Sequence, residues 1–293
     1  MSQLIAMRQR IRAIETIKKI THAMQLISMS LHTRLQKQAL SREQYRQVLL
    51  ELLQLTQAAA PNLPVANNAQ PINLAAENRF LLILISAQKG LCGNFNSELL
   101  QFLELYTAKI YQAHPAANLA FITVGTKKVA HELQKRHWPV LYEFNNLKIA
   151  NLNQIGRELF QKVQSYRDTY YHIRCVYTKS HNFFARQPMA TELYPPFSPL
   201  PANRQLLVPV SDYLWPESPT QVHLQVNNKY LHYILQSTLF DSLLAEQAAR
   251  FRSMDNASRN ASELLESSYR DYNKLRQHKI TKELIELATA FQR

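Results

Sequence analysis

The sequence predicts an α/β fold. A middle domain with a mainly parallel sheet lies between two long helices that form an antiparallel coiled coil. Two observations carry this reading. All thirteen prolines fall between Pro61 and Pro219, and the four glycines are Gly90, Gly93, Gly125 and Gly156, so residues 1–60 and 220–293 contain neither breaker. Between those segments, short apolar runs alternate with helical patterns at a spacing suited to parallel strands with helices on the faces.

Residues 1–60 carry Leu4, Met7, Ile11, Ile14, Ile17, Met24, Ile27, Leu31 and Leu35 at steps that are mostly three and four. The double three-step Ile11–Ile14–Ile17 reads as a stammer in a coiled coil. Residues 220–293 are strongly apolar through "KYLHYILQSTLFDSLL". They become small and polar through "AEQAARFRSMDNASRNAS", then regain Leu264, Leu265, Tyr269, Tyr272 and Leu275. At about 1.5 Å per residue the two helices would reach roughly 85 and 110 Å, well beyond a globular core. Two narrow apolar stripes most simply bury one another, and one intervening domain makes the pair antiparallel. The predicted division is an N-terminal coiled-coil helix (1–60), an α/β domain (61–219) and a C-terminal coiled-coil helix (220–293).

In the middle domain "RFLLILIS" reads as a buried strand, "SELLQFLELYTAKIYQ" as a helix, "NLAFITVG" as a strand and "TKKVAHELQKR" as a helix. "PVLYEF" is a further strand, "NLNQIGRELFQKVQSYR" a helix and "YYHIRCVYT" a strand. The proline-rich "ELYPPFSPLPANRQLLVPVSDYLWPESP" reads as irregular chain leading into the last helix.

The net charge of +13 implies an acidic partner: nucleic acid, an anionic membrane or an acidic protein surface. The first helix is the most one-sided, with nine basic and three acidic residues in 1–60, among them Arg8, Arg10, Arg12, Lys18 and Lys19. Cys92 and Cys175 lie far apart and form no metal pattern, which fits a reducing compartment and excludes a disulfide scaffold. No apolar run approaches the roughly 20 residues that span a bilayer. The basic, amphipathic "MSQLIAMRQRIRAIE" has the character of a transit peptide. Its periodicity continues past residue 30, which favours a structural helix of the mature protein.

The stretch "LILISAQKGLCGNFNSELL" (82–100) is a strand, a glycine turn and a helix, the arrangement that cradles phosphates in many nucleotide-binding proteins. It matches neither G-x-G-x-x-G nor G-x-x-x-x-G-K-[ST], because Asn94 stands where the phosphate-binding lysine would follow. Gly90, Leu91, Cys92 and Gly93 are therefore read as a tight turn whose glycines permit positive φ. Cys92 would need a base to act as a nucleophile, and no pattern singles one out among the ten histidines. It reads as a buried structural thiol, and Cys175 as core. The tyrosines of "SYRDTYYHIR" are explained by packing. No catalytic, cofactor-binding or metal-ligating residue is assigned. On these residues alone a Rossmann-like redox enzyme and a basic coiled-coil nucleic-acid binder stay open as alternatives.

Taken together, "KKITHAMQLIS", "GLCGNFN" and "LLAEQAARFRSMDNASRNASELLESSYRDYNKLRQHKITKELIELATA" resemble the gamma subunits of F-type ATP synthases, in order and over essentially the whole chain. The most specific motifs are E-Q-A-A-R, M-x-x-A-x-x-N-A, Y-N-K-x-R-Q, I-T-x-E-L and K-I-T-x-A-M. The chain departs from the usual pattern at "LISMSLHTRLQKQ" and at Asn94 and Phe95.

The resemblance implies a non-catalytic subunit of an ion-translocating rotary motor, present once per complex and without a cofactor of its own. Its coiled coil would turn as the central stalk inside a hexamer of α and β subunits, with nucleotides hydrolysed mainly on β. A Rossmann-like foot domain would meet the ε subunit and the membrane ring of c subunits. No nucleic acid is implied, and membrane association would come only through the c-ring. The location would be the cytoplasmic face of the bacterial inner membrane, or the matrix face in mitochondria. Arg250, Gln277 and Thr281 match family positions that contact catch loops of β. Met24 lies near an acidic β loop that Lys18 and Lys19 would complement. Arg250 is expected to face outward from the helix pair, and "LIELATAFQR" to form an apolar tip in a bearing.

Overall fold

A computed structural model describes residues 2–59, 78–194, 214–215 and 217–291. Helix α1 (Ser2–Ala59) is followed by β1 (Arg79–Ile85), α2 (Phe95–Ala113), β2 (Asn118–Val124), α3 (Lys127–Lys135) and β3 (Val140–Phe144). A 3-10 turn at Ile149–Asn151 leads into α4 (Leu152–Tyr166), β4 (His172–Ser180), β5 (Arg186–Tyr194) and α5 (Pro219–Phe291). The helices of 58 and 73 residues are the breaker-free termini. Pro219 opens α5 at the first helical position, where its missing N–H costs nothing, and the Ser218 hydroxyl accepts from the Gln221 N–H. The proline-rich stretch read as irregular lies mostly outside the described residues. Its first three residues, Glu192–Tyr194, belong to β5.

The chain divides into two compact units, one of residues 1–31, 91–93 and 249–293 and the other of 32–90 and 94–248. Each long helix thus contributes one segment to each unit.

The larger unit holds a five-stranded sheet in the order β3-β2-β1-β4-β5. Strands β1 to β4 pair in parallel, and β5 runs antiparallel to β4 at the edge. Strand β1 is central and covered on both faces, hence its unbroken "FLLILI". Alternation assigns Leu81, Ile83 and Ile85 to one face, where Leu235, Leu239, Phe240 and Leu243 of α5 join Leu152, Ile155 and Leu159 of α4. Phe80, Leu82 and Leu84 point the other way, against Leu99, Leu103 and Ile110 of α2 and Val129 and Leu133 of α3. Gly125, after β2, has φ 129°, and a Cβ there would lie 2.3 Å from the Ser86 hydroxyl and 2.6 Å from its carbonyl, so only glycine fits.

In the smaller unit, α1 and α5 run antiparallel. Arg8 donates to the Tyr272 hydroxyl (2.7 Å), Tyr269 donates to Glu15 (2.7 Å), and the Gln25 amide donates to Asp255 (2.9 Å). The α1 number rises as its partner's falls. The buried or half-buried positions of α1 here are Leu4, Met7, Ile11, Ile14, Lys18, Thr21, Gln25 and Ser28, with Glu15 and Met24 beside them. These eight form a regular alternation of three and four. The predicted stammer is therefore absent. Ile17 and Ile27 are 52% and 59% exposed, and the seam keeps its phase by taking Lys18 and Ser28 in their place.

Candidate functional site

The glycine turn answers the question its sequence poses. At the end of β1, the Ala87 N–H donates to the Asn96 side chain (2.9 Å). The next two backbone N–H groups, of Gln88 and Lys89, point at the two oxygens of Glu246, at 3.1 and 3.5 Å. Glu246 is 3% exposed and comes from the E-Q-A-A-R motif of α5. A carboxylate of the chain itself thus takes the two N–H groups that this turn offers to an anion. Asn94, in the place of a phosphate-binding lysine, donates to Glu98 (2.6 Å) and accepts from Arg186 (2.5 Å), which also pairs with Glu98 at 3.0 Å.

Within the turn, Cys92 is buried. Gly93 has φ 63° and lies 3.8 Å from Ser253, counted from a Cβ built on it. The expectation that both outer glycines supply positive φ is corrected: Gly90 does not, and Leu91 takes φ 64° instead. Leu91 bears this at a steric cost of roughly 1 kcal/mol while 57% exposed. Cys175, in β4, is fully buried and accepts from Thr238 at 3.9 Å; burial pushes its pKa up to about 12, which makes it inert at neutral pH.

The residues expected to meet a partner all lie in the smaller unit, but not in one place. Lys18 and Met24 are half-buried on α1, and Lys19 is exposed beside them. Gln277 and Thr281 are exposed one turn apart, with the Thr281 hydroxyl donating to the Gln277 carbonyl at 3.0 Å. They stand roughly 40 Å along α5 from Arg250 at 1.5 Å per residue, so the set makes at least two separate sites. Arg250 does not face outward: it is 6% exposed. Ala249, Met254 and Ala261 of the same stretch are buried with it.

The sequence reading missed the polar ties of the seam. Asp255 accepts from Gln25 and pairs with Arg259 at 2.8 Å. It also missed what the seam leaves outside: Ile5, Ile17, Ile20, Leu26 and Ile27 of α1 are each more than half exposed, as are Leu264, Leu284, Ile285 and Leu287 of α5. Polar residues in the seam and isoleucines outside it invert the usual pattern of a solvated helix pair.

A family model described as ATP synthase matches residues 3–292. The chain belongs to the ATP synthase gamma family. Among its relatives, the ATP synthase gamma chain of Chlorobium luteolum is 29% identical, with 98% of this chain and 97% of that one covered. That of Salinibacter ruber is 28% identical, with 99% and 97% covered. Among solved structures, a chain of the Euglena gracilis mitochondrial ATP synthase OSCP/F1/c-ring assembly matches with a TM-score of 0.71 at 14% identity, covering 99% of this chain and 94% of that one. A chain of the rotor from the same organism matches with a TM-score of 0.66 at 15% identity, covering 95% and 99%. Like the gamma family, this chain is a central-stalk, non-catalytic subunit of F-type ATP synthase.

Proposed function

We propose that this chain is the rotor shaft that couples ion flow through a membrane ring to ATP synthesis or hydrolysis on β subunits, as a single copy inside a hexamer of α and β. One observation carries the reading furthest. The smaller unit turns Lys18, Thr21, Gln25 and Ser28 inward and leaves Ile17, Ile20, Leu26 and Ile27 outside. Such a helix pair suits a protein sleeve better than water. The exposed α5 residues 280–290, with Ile280, Leu284, Ile285 and Leu287, fit an apolar tip turning in a bearing.

In this reading the sheet domain is the foot, set against an ε subunit and a ring of c subunits. The membrane is met through that ring, in keeping with the finding that, among the described residues, no helix is long and apolar enough to cross one. The complex would lie on the cytoplasmic face of a bacterial inner membrane or the matrix face of a mitochondrial one. Met24, Lys18 and Lys19 would face an acidic β loop, and Gln277 and Thr281 a catch loop. Arg250, buried in the chain itself, would hold α5 in the shape that meets β and reach the loop only as the helix shifts.

The test is assembly. Ile20→Asp with Ile27→Asp should leave the melting of the isolated chain nearly unchanged and weaken its assembly with α and β by at least about tenfold, since two apolar side chains at an interface contribute a few kcal/mol. Assembly at the wild-type level would overturn the enclosed-shaft reading.

A further inference from the structure

Within the larger unit, a groove of about 390 Å³ runs between α1 and α5. Helix α1 presents Lys37, Gln38, Ser41, Arg42 and Tyr45 to it, one face of two helical turns, and α5 presents Tyr233 and Gln236. Every one of these side chains carries a hydrogen-bond donor, and none is a carboxylate. The volume falls in the range of small-ligand sites, about 300–1,000 Å³.

Arg42 lines the groove from α1. Its guanidinium stacks on the Phe240 ring, 4.4 Å from the centroid, and is half-buried. Among the described residues, no side-chain acceptor lies within hydrogen-bond distance of it. A guanidinium has five N–H donors, and stacking uses none of them. The wall beside it is pinned: Tyr233 donates to the Arg42 carbonyl at 2.7 Å, and its ring meets Tyr45 edge-on at 5.4 Å. Two carboxylates are near. Glu43 is held by Arg46 through two hydrogen bonds of 2.8 and 2.5 Å. Asp241 is half-buried and interacts electrostatically with both Lys179 and Arg42.

We propose that this groove binds a phosphate-class anion, either a soluble phosphate monoester or the phosphodiester of a lipid headgroup, with Arg42 and Lys37 on the phosphoryl oxygens and the Tyr45–Tyr233 pair against the organic part. Arg42 supplies the planar fork that matches two phosphoryl oxygens, and Lys37 adds a point charge at the rim. Ser41 and the two glutamines complete the donor set.

The experiment is calorimetric titration of the full-length chain with glycerol phosphate, alongside co-sedimentation with vesicles of phosphatidylglycerol and of phosphatidylcholine. Arg42→Gln and Lys37→Gln are compared with Lys127→Gln and Lys128→Gln, exposed lysines on another helix that remove the same charge. Saturable binding is expected, weakened about tenfold by either groove substitution and unaffected by the controls, with Arg42→Lys intermediate. Thermal melting of each variant separates lost binding from lost folding, and Lys37→Gln, at an exposed position, keeps the test open if Arg42→Gln does not fold. Binding of glycerol phosphate assigns a soluble ester. Retention on phosphatidylglycerol but not phosphatidylcholine, without glycerol phosphate binding, assigns a lipid headgroup. Binding of neither probe, or equal losses in the groove and control variants, would overturn the proposal.

Discussion

Glu246 lies 3% exposed against two backbone N–H groups at the end of β1, 157 and 158 residues from them in sequence. A buried carboxylate is tolerated only where such donors replace water. Glu246→Ala would leave those N–H groups without a charged acceptor and should cost about 1.5–3 kcal/mol. Glu246→Gln keeps one carbonyl oxygen and should cost less. Urea unfolding gives the magnitude, and hydrogen exchange at Gln88 and Lys89 gives the location. Unchanged protection in Glu246→Ala would contradict the seat.

Asp241 is the second residue with a measurable signature. Burial is the main cause that raises its pKa from 3.8 to about 6, against the opposing pull of Lys179 and Arg42. Folding therefore favours the protonated form. The stabilisation is complete below the unfolded pKa near 4 and is lost as pH rises through about 6. It amounts to about 2–3 kcal/mol at most between those limits. Asp241→Asn should flatten stability between pH 4 and 6.5 and raise it at pH 7, as read from urea midpoints. A wild-type chain that gains stability across that window would refute the assignment.

For the elements, the phase of the α1 seam is the point that mutation decides most directly. Ile14 is 9% exposed and Ile17 52%. Ile14→Ala should cost about 2 kcal/mol or more, and Ile17→Ala within about 0.5 kcal/mol, in the isolated chain. Equal costs would restore the stammer. Register has its own check. With Gln25→Cys and Asp255→Cys, a short bifunctional reagent should join α1 to α5 inside one chain, because those side chains lie 2.9 Å apart through their hydrogen bond. Products that link only different chains would replace the intramolecular pair with a dimeric coiled coil. Arg250→Ala belongs to this scale as well. Burial at 6% exposure should make it destabilising in the chain alone, as read from urea unfolding, and if the proposed contact with β forms it should also lower ATPase turnover of the assembled complex by about tenfold, with Arg250→Lys recovering part of each.

For the whole molecule, the parallel sheet with helices on both faces has the topology of nucleotide-binding domains, yet its first turn is already occupied by Glu246. The purified chain should show no ATPase activity and no tight binding of ATP or NADH by calorimetry. Micromolar affinity for either would return the redox-enzyme reading to consideration.

Much of this was legible in the chain because the signals are local. Proline and glycine act on their own and adjacent turns, so their absence from residues 1–60 and 220–293 determined two long helices. Alternation and length determined β1, β2, β3 and β4 and the helices among them. Strand β5 escaped because "RQPMATELY" has a proline and few large apolar residues. It is a strand through pairing with β4 at an edge, where Pro188 costs least. The E-Q-A-A-R and K-I-T-x-A-M motifs determined the family, since they carry specific residues at set spacings. Only the tertiary structure decided that Lys18 and not Ile17 enters the seam, that Leu91 and not Gly90 takes the left-handed backbone, that Arg250 is buried, and that Glu246 closes the anion seat. Each of those depends on which surface a side chain meets after distant segments come together, and a carboxylate more than 150 residues away leaves no trace in the local pattern of the turn it fills.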